Sequence, residues 1–373
     1  MKTILTIIGS LAVLFAGVSC MEMDDAAIEA TTQEIGGPGF PGPGPAWPTF
    51  PHTCPHCGKN SPVVDGVTFY ELALDQETRN SQDMRLGNVR DHNGKSAQLE
   101  VRGDTLYRRN YDLGGIAPPW QNSMALSKFK LTKLGVGSIL YVYQWDKEQE
   151  KEIEYELEIM HIGETNHWVD ENARPATTYR MEYTVPGPEN RTVDLCPEDT
   201  LNGSTTDLNG PKPHHFVVFA GDRMDPETMT VASGEDAEGW LNFACEGSAP
   251  YKMHMNRYTA AGATQSFETE PEQRQAMLKM FAADYCGDGT VHTVNGRPLE
   301  YEDYDDELEA TSPAASLEAF WDENGATCLA TPRYAQLDEI SCSQDLQDGH
   351  DCISYALLGN PWDLVSANPA PPE

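Results

Sequence analysis

Along much of the chain apolar residues recur at every second position, the pattern of strands with one dry and one wet face. Residues 66–74 and 97–101 alternate in this way or nearly so, and clusters of Gly, Asn and Asp separate them. Residues 138–145 and 153–159 flank the charged run 146–151 and predict a hairpin. In its second strand Glu154, Glu156 and Glu158 share one face, opposite Ile153, Tyr155, Leu157 and Ile159. Such a row of acids is the solvated side of a half-buried strand before it is a cation site.

After Pro186-Gly187-Pro188 the pattern resumes, with strands expected at 215–219, 228–231, 240–245 and 251–255. The period then changes from two to about 3.6. Pro271 in a first turn, Glu268, Glu270 and Glu272 at the positive end, and Ala276, Met277, Met280, Phe281 and Ala283 predict a long helix carried to Cys286, with Gly287 as its left-handed cap. A shorter helix is expected over 314–321, with Ser312 as cap and Pro313 at its first position. The expected class is mainly β with minor α (α+β): two disulfide-stapled, β-rich modules, the second with one long and one short helix.

The ends of the chain read differently. Lys2, the apolar stretch from Ile4 to Phe15 and the small residues Ala16, Gly17, Val18 and Ser19 form a signal peptide over 1–19, too short to span a membrane as a mature helix. Cys20 follows, where a bacterial lipoprotein carries its lipid, although Gly17 stands where an aliphatic residue is usual. Residues 20–52 are a Pro/Gly-rich tether whose composition buries no core. The organisation expected is therefore signal peptide 1–19, tether 20–52, first module 53–190, second module 191–358 and tail 359–373.

Composition narrows the partners. Against 59 Asp and Glu stand 25 Lys and Arg, a net charge of −34. That field repels phosphate backbones, so no nucleic acid is expected; it reads first as a solvated surface that calls for no cofactor, with divalent cations, calcium or zinc, as the candidates behind that reading. Of nine cysteines, setting Cys20 aside leaves Cys54, Cys57, Cys196, Cys245, Cys286, Cys328, Cys342 and Cys352, an even set that reads as disulfides formed in an oxidising compartment.

Cys54-Pro55-His56-Cys57 has the letters of thiol oxidants resembling thioredoxin, and that chemistry needs a strand before it and a helix after it. A Pro/Gly tether precedes it here and Gly58-Lys59-Asn60-Ser61-Pro62 follows, so a structural disulfide is the first reading, with redox and metal-binding readings behind it.

The stretch from Ala283-Asp284-Tyr285-Cys286-Gly287-Asp288-Gly289 to His292-Thr293, then Gly296-Arg297-Pro298-Leu299, resembles the signature of the bacterial ADYC domain, whose name spells its first four residues. Phe243-Ala244-Cys245 ahead of Ala249-Pro250-Tyr251-Lys252, and Trp321-Asp322-Glu323-Asn324-Gly325-Ala326-Thr327-Cys328 continuing to Arg333, are similar to the family's flanking cysteine blocks. The resemblance implies that the second module, 191–358, is an ADYC domain and that the protein is exported, cysteine-containing and bacterial. It implies no activity, so it carries over no catalytic residue.

Asp284, Asp288 and His292 recur at spacing four and are the candidate metal ligands, although Gly287 interrupts any common helical face. A bridge from Cys286 to Cys328 or Cys245 would close the loop that holds them. His214 and His215 point to opposite faces if extended, and the acidic run 300–307 lacks the spacing of a calcium-binding loop. No nucleophile elbow, zinc-protease helix, phosphate loop or dinucleotide fingerprint occurs.

The leading expectation is an exported cell-envelope lipoprotein at the outer membrane or cell surface, otherwise secreted. It is anchored to the membrane by lipid on Cys20 and has a structural or binding role, with its protein or glycan ligand left open. The alternative is an extracytoplasmic metal-dependent hydrolase using Asp284, Asp288 and His292.

Overall fold

The structure, a computed structural model, describes residues 61–110, 130–168, 173–185, 191–196, 215–262, 269–293, 299–303, 317–333, 339–347, 352 and 364–368. They fall within one unit, Gln33–Glu373. The signal peptide, Cys20, the tether, Cys54, Cys57 and His214 lie outside the described residues.

In chain order the strands begin with β1 (Val63–Val64), β2 (Val67–Thr68), β3 (Glu71–Ala73), β4 (Met84–Arg90), β5 (Ser96–Arg102), β6 (Thr105–Asn110) and β7 (Lys130–Lys133). They continue with β8 (Ile139–Asp146), β9 (Lys151–Thr165), β10 (Ala176–Thr184), β11 (Thr192–Asp194), β12 (Phe216–Ala220), β13 (Asp222–Asp225), β14 (Thr230–Ser233) and β15 (Trp240–Cys245). Helices α1 (Ala249–Met255) and α2 (Pro271–Ala282) follow, then β16 (Glu300–Asp303), β17 (Leu317–Asp322), β18 (Gly325–Leu329), α3 (Ser343–Gln347) and β19 (Leu364–Ala367).

The main sheet has eleven strands in the order β3-β15-β12-β10-β9-β8-β4-β5-β6-β7, with β11 added alongside β10. Its ladders are antiparallel, as in the β8–β9 hairpin, where Val142 faces Tyr155 and Leu140 faces Leu157. Tyr155, Leu157 and Ile159 are buried and Glu154, Glu156 and Glu158 exposed, so the alternation read from the sequence places the acids in water. Two of them are engaged on that face: Tyr143 donates to Glu154 Oε2 at 2.6 Å and Arg90 lies 3.6 Å from Glu156.

Strands β12 and β15 are buried along nearly their whole length because the sheet is covered on both sides here. Phe216 and Val218 enter a core with Tyr155, Leu157 and Phe243, while Val217 and Phe219 enter a second core with Met253 of α1 and Met277 and Phe281 of α2. A smaller sheet, β16-β19-β17-β18, adds Ala319 and Trp321 to that second core.

Several sequence expectations are corrected. Residues 251–255 are helical, not extended: Ser248 caps α1 by accepting from Tyr251 N, and Pro250 sits in the first turn. Residues 317–322 form β17, not a helix, because pairing with β18 and β19 overrides the local propensity of the Ala- and Leu-bearing run. Glu300–Asp303 of the acidic run form β16, paired with β19, while 304–307 lie outside the described residues. Helix α2 stops at Ala282, not Cys286. The boundary drawn at 190/191 is crossed by the sheet, since β10 before it pairs with β12 after it.

Three bridges are present among the described cysteines: Cys196–Cys245, Cys286–Cys342 and Cys328–Cys352. Cys286 is thus paired with neither Cys328 nor Cys245, because each of those has another partner.

Candidate functional site

The turn that leaves α2 begins with a well-fixed helix. Glu270 accepts from the backbone of Gln273, whose side chain returns a bond to Glu270 N at 2.8 Å, a capping box with Pro271 behind it. At the other end Asp284 N donates to Lys279 O at 2.9 Å and Ala283 N to Met280 O at 3.1 Å. This is the Schellman closure, with Ala283 in the left-handed region at φ 54° where glycine is usual. Its methyl group is fully buried in the core beside α2.

Asp284 turns inward. Its Oδ2 accepts from Lys279 Nζ at 2.6 Å and from Gly289 N at 3.0 Å. Lys279 Nζ also donates to Thr228 O and Gly287 O, each at 3.2 Å, which uses all three of its donors. Burial pushes the Asp284 carboxyl above its ordinary range, against the pull of Lys279. Asp284 Oδ1 is left buried without a hydrogen-bond partner.

Tyr285 is buried in the second core. Its ring stacks on Trp321 with centroids 5.3 Å apart, and its hydroxyl donates to Glu318 Oε1 and accepts from Arg333 N at 3.2 Å. Arg333 Nε also reaches Glu318 Oε1 at 2.7 Å, and its Nη2 reaches Met280 O at 2.7 Å. Ser366 Oγ donates to Glu318 Oε2 at 2.8 Å and accepts from Trp321 Nε1 at 2.8 Å. Burial first, then the neighbouring Glu318, raises the Tyr285 hydroxyl well above its ordinary value, so it stays a donor. Cys286 closes the motif through its bridge to Cys342.

The loop beyond is wedged between two backbones. At Gly287 (φ 69°) a Cβ would stand 1.7 Å from Asn324 O, and at Gly289 (φ 86°) 2.5 Å from Glu227 O. Only glycine fits either place.

Asp288 is exposed and accepts from Thr290 N at 2.9 Å. Burial pulls its carboxyl up, but the two bonds from Thr290 outweigh this and leave it below the ordinary range. His292 is buried, its ring 5.7 Å from that of Tyr285, and burial lowers its pKa against the charges of Asp288 and Asp284. Asp284 is committed to Lys279 and Asp288 faces solvent, and among the described residues no three His, Cys, Asp or Glu side chains are grouped to hold a metal.

Sequence reasoning missed Lys279, Glu318, Arg333 and Ser366. Lys279 carried one available signal, since it lies five residues before Asp284, the span a Schellman closure folds back on itself. Glu318 was hidden by the helical reading of its segment. Chemically the arrangement is a closed knot: its buried acids Asp284 and Glu318 are matched by Lys279 and Arg333, and its cysteine is oxidised.

No curated protein and no solved structure matches this chain. The model of the ADYC domain family matches residues 137–335, beginning well before the expected start at 191. With more than half of its length covered by that match, and with each letter of the signature placed in the turn just described, the chain belongs to the ADYC domain family.

Proposed function

We propose that the protein is an exported ectodomain of the bacterial cell envelope, tethered by lipid on Cys20, with a structural or binding role rather than a catalytic one. The observation that carries this reading is how the signature residues are used. Ala283 closes a helix, Asp284 binds Lys279, Tyr285 joins the Glu318–Arg333 network and Cys286 is bridged, so each is spent on holding the fold. Three bridges in one unit support folding in an oxidising compartment. The competing hydrolase reading draws no support from the positions of Asp284, Asp288 and His292.

Mass spectrometry of the mature N-terminus, with titration of free thiols on native material, tests the proposal. A diacylglyceryl group on Cys20 and no free thiol at Cys196, Cys245, Cys286, Cys328, Cys342 or Cys352 are expected. An unacylated Cys20 removes the anchor, and free thiols at those six positions remove the compartment.

A further inference from the structure

Among the three bridges, the one in the signature turn is placed differently from the other two. Cys196, Cys245, Cys328 and Cys352 are each no more than 4% exposed, so a reagent reaches their sulfurs only when the fold opens locally. Cys286 and Cys342 are half-buried, and Ser341 beside them is exposed. Their bridge packs against the second core yet keeps part of its surface in solvent.

Its two sulfurs also differ from each other. Cys342 N donates to Cys286 Sγ at 3.2 Å, and Ser341 Oγ lies 3.3 Å from the same sulfur. A disulfide sulfur carries no hydrogen, so in the second contact the hydroxyl is the donor. Cys286 Sγ thus meets two donors, whereas among the described residues no hydrogen bond reaches Cys342 Sγ. Thiol–disulfide exchange attacks one sulfur and expels the other as a thiolate, faster where the departing anion is better stabilised. Donors aimed at Cys286 stabilise charge there, which makes Cys286 the leaving sulfur and Cys342 the sulfur attacked.

Opening this bridge leaves its surroundings anchored. On one side Ile340 is 2% exposed in the second core, Leu346 packs against that core, and Leu346 N donates to Cys342 O at 3.1 Å. On the other, Asp284 keeps Lys279 and Tyr285 keeps Glu318, none of which depends on the sulfur.

We propose that Cys286–Cys342 is an exchange site for a small thiol. The incoming thiolate bonds to Cys342 Sγ, the sulfur–sulfur bond breaks, and its electron pair leaves on Cys286 Sγ. The products are a mixed disulfide at Cys342 and a thiolate at Cys286, the incoming sulfur being oxidised as Cys286 is reduced. Return attack by Cys286 on Cys342 Sγ restores the bridge and releases the thiol. The proposal goes beyond the envelope reading and stands whether or not Cys20 carries lipid.

The test treats the oxidised full chain with 2-mercaptoethanol, an uncharged thiol that the negative field does not repel. Early samples are quenched with N-ethylmaleimide and mapped by peptide mass spectrometry. Expected is the mercaptoethanol adduct on Cys342 with maleimide on Cys286, formed about tenfold or more faster than any labelling of Cys196, Cys245, Cys328 or Cys352. Ser341→Ala removes one donor to the leaving sulfur and is expected to slow the opening about threefold or more. A serine that merely steadied the turn would have the opposite effect, since loosening the turn speeds reduction. No adduct, opening of all three bridges at one rate, an adduct on Cys286, or unchanged or faster opening in Ser341→Ala would each overturn the site.

Discussion

At the scale of single residues, the buried Lys279–Asp284 pair is the clearest energetic test. Replacing only Lys279 by Met leaves a carboxylate in a site with no exposure, expected to cost about 3–5 kcal/mol in urea unfolding, whereas Lys279→Met with Asp284→Asn costs much less. Equal losses in the two proteins would mean that the ion pair is not what holds the turn. Lys252 presents the opposite case: it is buried, its ammonium 5.8 Å over the Phe281 ring, and burial lowers its pKa from 10.5 to about 7. A lysine depressed in this way contributes its stability above pH 10.5 and withdraws it as pH falls toward 7. Lys252→Met is therefore expected to be more stable than the parent at pH 7 by on the order of 1 kcal/mol or more, with the difference gone by pH 10.5. A constant difference across that range would exclude titration of Lys252 as its cause.

At the scale of elements, the glycines of the signature loop act through space as well as torsion. Gly287→Ala is expected to cost more than about 2 kcal/mol, because the new methyl meets Asn324 O in addition to the positive φ. Gly94 has a similar φ of 78° with nothing near its Cβ position, so Gly94→Ala costs about 1 kcal/mol. Matching losses in denaturant melts would show that backbone torsion alone matters. Legibility at this scale followed periodicity. The β8–β9 hairpin and β15 were readable because alternation or continuous apolarity left one interpretation. Residues 251–255 were not, since a seven-residue helix buried at every position leaves no polar stripe to mark its period. Residues 317–322 misled for a related reason: the Ser-Pro cap signal precedes them, yet the pairing that decides their state comes from β19, far along the chain. The candidate site was legible only in its letters, because the partners of Asp284 and Tyr285 are set by tertiary packing.

At the scale of the whole molecule, charge and continuity dominate. A net charge of −34 repels itself, so raising salt from about 10 mM to about 150 mM is expected to raise the melting temperature, and a fall would show that attractive pairs outweigh the repulsion. Continuity has a consequence for any shortened form of the protein. The family match starts at 137 and stops at 335, while β3 to β7 precede the first limit and Cys342 and Cys352 follow the second. A fragment trimmed to those limits would carry orphan sulfhydryls at Cys286 and Cys328. It would also bare the flanks of β8 and β15 that β4 and β3 cover, open templates for self-association. The stretch matched by the family model is therefore shorter than the unit its own strand pairings and bridges tie together.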